Sequence, residues 1–125
     1  MDNYRRVLVT LWFFFAAAVT VLSLLPASVV PHLLGGGTLE HFSAYLALAL
    51  IPVVAIRRVY SVFVAVIAVA CLGVLLEILQ LAIPGRASEW ADIAMNSVGM
   101  AAGVLAGLSL RLGCNRRMSR GCSDA

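Results

Sequence analysis

The stretch "NSVGMAAGVLAG", residues 96–107, decides how this chain can pack. It contains two overlapping G-x-x-x-G patterns, which let helix backbones approach closely where lipid removes the hydrophobic drive between helices. Polar residues continue the same edge toward the start of the helix. Spaced by four, three, four and four residues, the members of this edge are Asp92, Asn96, Gly99, Gly103 and Gly107. We expect the edge to pack tightly at its glycine end and to be polar at its other end.

The composition indicates an integral membrane protein. The chain has 125 residues, of which 62% are hydrophobic and 12% are charged, and its mean hydropathy is +1.01. An ordinary soluble domain has roughly 45–50% apolar residues. A chain of this length has no room for a separate soluble module beside several spans, so we predict one membrane domain over residues 1–125.

Four apolar runs are long enough to cross a bilayer. They cover about residues 7–25, 39–56, 59–83 and 92–110, and a basic tail that we expect to be frayed follows at 111–125. The first run follows two arginines, so a cleaved signal peptide is an alternative. Its length, and Leu25 where cleavage before residue 28 would require a small residue, favour a retained span. In the second run Pro52 supplies no N–H to the helix, and we expect a kink there.

The arginines predict the topology. The formal charge is +3, with nine arginines and no lysine. Eight of the nine lie at the amino terminus, between the second and third runs, or after the fourth. These places share one membrane side only in a bundle of four spans, so the positive-inside rule puts both termini in the cytoplasm. The protein is thus predicted to be an all-α four-transmembrane-helix bundle. Scattered arginines at span ends do not form a nucleic-acid-binding surface.

The cysteines and histidines do not predict a metal site. Cys71, Cys114 and Cys122 have no metal-type spacing, and His32 and His41 do not complete one. A disulfide framework is not expected either. We therefore predict no metal and no cofactor.

Polar residues collect at the outer end of the predicted bundle. Glu77 and Gln80 are three residues apart and share a helix face with Gly73. Glu77 lies roughly 9 Å below the end of its span, where a carboxyl group is costly unless it is protonated, paired or facing a wet cavity. His41 and Tyr45 share a face of the second span. The predicted functional cluster is His41, Tyr45, Glu77, Gln80, Arg86, Asp92 and Asn96, and the predicted packing residues are Gly73, Gly99, Gly103 and Gly107.

Structural alternatives exist for several members of this cluster. Glu77 and Gln80 could tie helices together by hydrogen bonds, and Asp92 could cap its helix. Arg86 could be an interfacial anchor whose charge reaches toward water. We interpret the remaining large aromatic residues, Trp12, Trp90 and Tyr60, as interfacial or lipid-facing.

The chain resembles the VanZ-like family of small multi-span bacterial membrane proteins. The resemblance covers about residues 39–107, in "HFSAYLAL" from His41 and "E..Q...PGR..E..D...N..G...G" from Glu77. Members often have an Asp-Lys pair where this chain has Gly37 and Thr38. The family is named for an accessory protein of resistance to glycopeptide antibiotics, chiefly teicoplanin. The resemblance implies a multi-pass protein of the bacterial cytoplasmic membrane that acts near the envelope.

Three functions follow as hypotheses. The first is binding of an envelope lipid or glycolipid head group at the outer face, with Arg86 meeting an anionic group. The second is a structural or regulatory subunit, whose glycine edge packs against a second copy or another membrane protein. The third is an enzyme on lipid-linked substrates with His41 or Glu77 as general acid or base, but no nucleophile is evident and no catalytic residue is assigned.

Overall fold

The described part of the protein is an antiparallel succession of helices. A computed structural model describes residues 3–26, 28–29, 37–83 and 90–121, with side chains in the last helix as far as Gly113. These residues contain no strands. Their four helices are α1 (Asn3–Leu24), α2 (Gly37–Ala55), α3 (Val59–Gln80) and α4 (Trp90–Gly121).

Each helix is long and apolar enough to cross a membrane. Many large apolar side chains point outward, among them Phe13, Phe14 and Phe63 at 62%, 71% and 64% exposure, as expected of surfaces that face lipid. The predicted all-α fold with four membrane-spanning helices is confirmed. The tail differs from expectation, because α4 continues to Gly121. Residues 111–121 contain no proline, and arginine, leucine and methionine favour helix.

The glycine edge of α4 lies directly against the backbone of α2. A Cβ atom on Gly99 would overlap the carbonyl oxygen of Phe42, and one on Gly103 would overlap that of Leu46. Residue numbers rise together along this contact, so α2 and α4 run parallel, and their contact is the most extensive in the bundle. The predicted packing role of these glycines is thus filled within the chain itself.

The arginine-rich ends of the helices meet at one end of the bundle. Arg5 of α1 donates a hydrogen bond to the carbonyl of Ala55, and Arg111 of α4 donates one to the carbonyl of Arg57, over 3.1 and 3.0 Å. The start of α1, the α2–α3 connection and the lower part of α4 therefore share one end, as the distribution of arginines predicted. That this end faces the cytoplasm stays a prediction of the positive-inside rule.

Trp12 is not a lipid-facing residue, contrary to the sequence interpretation. Its side chain is 8% exposed and packs in the core with Tyr45 and Leu48. The indole N–H donates to the carbonyl oxygen of Leu48 over 2.8 Å. That carbonyl would normally accept from the residue four positions on, but this residue is Pro52, which has no N–H. Trp12 therefore satisfies a carbonyl that the proline leaves without its helical donor. Trp90 and Tyr60, at 87% and 78% exposure, do lie on the surface.

We predict that Gly103→Ala destabilises the bundle by about 1–3 kcal/mol, because the added methyl group must push α4 away from α2. Gly113→Ala is the matched control on the same helix, since a Cβ there meets no atom within 4 Å. Thermal unfolding in detergent, followed by loss of the monodisperse peak, should show a lower midpoint for Gly103→Ala alone. Equal midpoints would contradict the close packing.

We predict that Trp12→Phe destabilises the protein by about 1–3 kcal/mol, the usual cost of a buried acceptor left unsatisfied. The loss should shrink in a Pro52→Ala background, because an alanine at this position can donate its own N–H to the Leu48 carbonyl. A double-mutant cycle of thermal stability measures this coupling, with Trp90→Phe as the exposed control. Additive effects would mean that Trp12 acts through packing alone.

Candidate functional site

The end of the bundle opposite the arginines contains a polar cluster, made of five polar residues and one glycine, that is built by three helices. Each helix contributes two residues four positions apart, which share one face of that helix. Since α2 runs antiparallel to α3 and parallel to α4, the three pairs meet at one level. They are His41 and Tyr45 on α2, Gly73 and Glu77 on α3, and Asp92 and Asn96 on α4.

A hydrogen bond between α2 and α4 fixes the imidazole. Nδ1 of His41 lies 3.0 Å from Oδ1 of Asn96. An amide oxygen only accepts hydrogen bonds, so Nδ1 must be the protonated, donating nitrogen. The other ring nitrogen, Nε2, faces Oδ2 of Asp92 at 3.9 Å, which is too long for a hydrogen bond. Asn96 therefore sets both the tautomer of His41 and the direction of its second nitrogen.

The cluster is graded in exposure. Glu77 and Asn96 are buried, at 4% and 7% exposure. The side chains of His41 and Asp92 are 15% and 17% exposed. Asp92 lies in the first turn of α4, where the positive end of the helix dipole favours a carboxylate. The structure places Asp92 inside α4, because this helix already includes Trp90. Asp92 is therefore not the N-cap residue, which precedes the helix.

A cavity opens beside the cluster between the three helices. Its volume is about 90 Å³, and its lining combines polar and apolar side chains. The polar ones are Tyr45, Glu77, Asn96 and Ser97, and the others are Ala70, Gly73, Val74, Ile93 and Met100. Liquid water occupies about 30 Å³ per molecule, so the space suits a group the size of a few waters.

Gly73 makes room for the Tyr45 ring at the cavity wall. A Cβ atom on Gly73 would lie 3.0 Å from Cε1 and 3.1 Å from the hydroxyl oxygen of Tyr45. Any side chain at position 73 would therefore press on the phenol. The predicted packing role of Gly73 thus has a specific partner.

A shallow apolar surface continues from the cavity along the outer side of α3. It shares Ala70 and Val74 with the cavity lining. Its other residues are Cys71, Leu75 and Ile78. A mainly apolar cavity with a few polar groups in its wall thus lies next to an apolar surface on the outer side of α3.

One predicted member, Gln80, is not part of this cluster. Gln80 is buried, but its amide donates to the carbonyl of Ser23 over 2.9 Å and so ties α3 to α1. This contact matches the alternative interpretation of Gln80 as a structural link between helices. Arg86, and with it Glu89, lies outside the described residues, so its predicted role stays a prediction.

Three members of the cluster could hold a metal ion. One ligand atom from each of His41, Glu77 and Asp92 can be chosen so that all three lie within 4.8 Å of one another. Sequence spacing did not predict this group, because metal motifs are recognised by ligands close together in one segment. Here one ligand comes from each of three helices.

Sequence reasoning also missed the apolar lining and Ser97. A signal was present, because Ile93, Ser97 and Met100 follow one another at intervals of four and three, the spacing of a helix face. This face adjoins Asn96. In the sequence, however, apolar residues such as Ile93 and Met100 cannot be distinguished from residues that face lipid.

These features define an all-helical, multi-pass membrane protein with a polar site near one end of the bundle. The family model described as VanZ/LLP1 matches residues 4–111. The chain therefore belongs to the VanZ/LLP1 family, and the resemblance seen in its motifs is confirmed. No curated protein and no solved structure matches the chain.

We predict that the His41–Asn96 hydrogen bond contributes about 0.6–2 kcal/mol, the range found for polar contacts between membrane helices. A double-mutant cycle of thermal stability with His41→Phe and Asn96→Leu should give a coupling energy of this size. The pair Ser43→Ala and Ser97→Ala, whose hydroxyls bond within their own helices, should show none. A coupling near zero for His41 and Asn96 would contradict the assigned contact.

Proposed function

We propose that this protein binds the polar head group of an envelope lipid or glycolipid at the outer face of the bacterial cytoplasmic membrane. The observation that best supports this function is the position of the cavity, which has Tyr45, Glu77 and Asn96 in its wall, beside an apolar surface of α3. An amphiphile presents the same two chemistries in the same order. Its head group would meet Tyr45, Glu77 and Asn96, and an acyl or prenyl chain would lie against Val74 and Leu75.

The size of the cavity limits the part of the ligand that enters it. A volume of about 90 Å³ accepts a phosphate, a carboxylate or a hydroxylated fragment, whereas a complete oligosaccharide must remain outside the helices. Specificity would thus come from a few polar contacts near the chain–head-group junction. This is the usual arrangement of small-ligand sites, where few polar groups fix the orientation.

Arg86 is the residue that we propose for contact with an anionic head group. It is the one arginine of the sequence outside the three arginine-rich segments, and in the sequence it lies between α3 and α4. A guanidinium group binds phosphate or carboxylate through two parallel hydrogen bonds. Gly37 and Thr38, where relatives often have an Asp-Lys pair, would make this member's head-group preference different from theirs.

The proposed orientation places the cluster outside and both termini in the cytoplasm. Its support is the arginine-rich end formed by Arg5, Arg57 and Arg111, opposite the cluster. In this orientation the site meets lipids of the outer leaflet, where envelope precursors are used. Tolerance to glycopeptide antibiotics such as teicoplanin would then be a consequence of handling such a lipid.

The alternative function, a subunit that packs against another membrane protein through the glycine edge, has less support. Gly99, Gly103 and Gly107 already face α2 of the same chain. A partner or a second copy would have to use another surface, such as the outer faces of α1 or α3.

We predict that native mass spectrometry of the protein, extracted gently from its own membranes, detects a discrete lipid adduct. Ser97→Phe should abolish the adduct, because the ring fills the cavity that Ser97 lines. Ser109→Phe is the matched control: both serines are exposed on α4 and both bond to a carbonyl of their own helix. The mass of the adduct identifies the lipid class.

Glu77→Gln and Arg86→Ala test the polar contacts in the same experiment. Both should lower adduct occupancy while the protein remains monodisperse. An adduct that survives Ser97→Phe and Arg86→Ala would contradict the proposed site. Absence of any adduct from the wild-type protein in native membranes would contradict the proposed function.

A further inference from the structure

We propose that His41, Glu77 and Asp92 bind one divalent transition-metal ion of the class that includes Zn²⁺. This goes beyond the proposed lipid site and does not depend on it, since the three ligands are in place whatever amphiphile occupies the cavity. The starting observation is convergence: α2, α3 and α4 each bring one ligand atom within 4.8 Å of the other two.

The distance between Nε2 of His41 and Oδ2 of Asp92 fits a shared ion better than a hydrogen bond. At 3.9 Å the two atoms are too far apart for a hydrogen bond. Two ligands of a tetrahedral zinc ion, with bonds of about 2.0–2.1 Å, lie about 3.3 Å apart. A side-chain movement of a few tenths of an ångström would bring both atoms to bonding distance.

Asn96 prepares His41 for metal binding. Metal-ligating histidines usually donate their second ring N–H to an oxygen, which fixes the tautomer and aims the ligating nitrogen. The hydrogen bond from Nδ1 to Asn96 Oδ1 over 3.0 Å has this form and leaves Nε2 facing Asp92. Asn96 is therefore a positioning residue of the proposed metal site.

The kinds of ligand determine the class of ion. An imidazole nitrogen suits zinc and its neighbours among the transition metals, whereas Mg²⁺ and Ca²⁺ prefer oxygen ligands alone. Two carboxylates balance the charge of a divalent cation. Three protein ligands leave a further position for water or an anionic oxygen. The cavity, which Glu77 and Asn96 also line, provides space for it.

The test begins with the metal content of the intact protein, purified from its own membranes without chelators. We expect about one zinc-class ion per chain, as for a three-ligand site. After removal of lipid and chelation of the metal, added Zn²⁺ should raise the thermal unfolding midpoint, and added Mg²⁺ should not. Because lipid is absent at this stage, failure of the lipid proposal would leave this result unaffected.

Matched variants assign the ligands. His41→Ala and Asp92→Asn should lose the stabilisation by Zn²⁺, and Asn96→Ala should weaken binding about 10–100-fold, as loss of an outer partner typically does. Glu40→Gln removes the carboxyl group next to His41, outside the three-ligand group, and should bind Zn²⁺ as the wild type does. Retained binding in a monodisperse His41→Ala or Asp92→Asn variant would overturn the proposal.

Co²⁺ as a spectroscopic probe keeps the proposal testable if a variant fails to fold. The wild-type protein should give visible d–d absorption typical of nitrogen and oxygen ligands, without the charge-transfer band of a thiolate. A thiolate band would place the ion at a cysteine and overturn the assignment. The absence of any Co²⁺ spectrum and of any stabilisation by Zn²⁺ would do the same.

Discussion

The close contact between the glycine edge of α4 and the backbone of α2 is the constraint on which the rest of the structure depends. Gly99 faces the carbonyl of Phe42, and this contact fixes the sliding position and the rotation of the two helices together. His41 is the chain neighbour of Phe42, and Asn96 lies one helical turn before Gly99. The hydrogen bond between their side chains is therefore possible only in this register. Close packing of Gly99 against α2 thus determines which polar side chains meet one helical turn away.

A second interaction joins this helix pair to α1. Proline is tolerated inside a membrane helix only where another group satisfies the carbonyl that it leaves without a donor. In this protein Trp12 supplies that group to Leu48, and the same indole packs beside Tyr45. Tyr45 in turn lines the cavity. Tyr45 therefore belongs both to the hydrophobic core and to the cavity wall. Packing in the core holds the phenol ring in one orientation.

The polar residues of the membrane interior divide into two roles. Gln80 holds α3 to α1 and does not line the cavity, whereas Glu77, one turn earlier, lines it. A carboxyl group at that depth is costly, and such groups usually mark function. An amphiphile and a divalent cation are chemically compatible occupants, because a metal ion beside the cavity would attract a phosphate or carboxylate. The proposed lipid and metal sites could thus cooperate, although each stands on its own observations.

The sequence by itself determined the membrane class, the number of helices, the shared end of the arginines and the spacing of the glycine edge, because apolar runs and helical periodicity are local properties of the chain. It also placed His41, Glu77 and Asn96 near one membrane face, since their depth follows from their distance to the span ends. Only the tertiary structure decided that they meet and that Gln80 is apart. It also decided that Trp12 is buried, because hydrogen bonds between helices depend on rotation about each helix axis. That rotation is set by contacts among residues up to 57 positions apart, which no local pattern records.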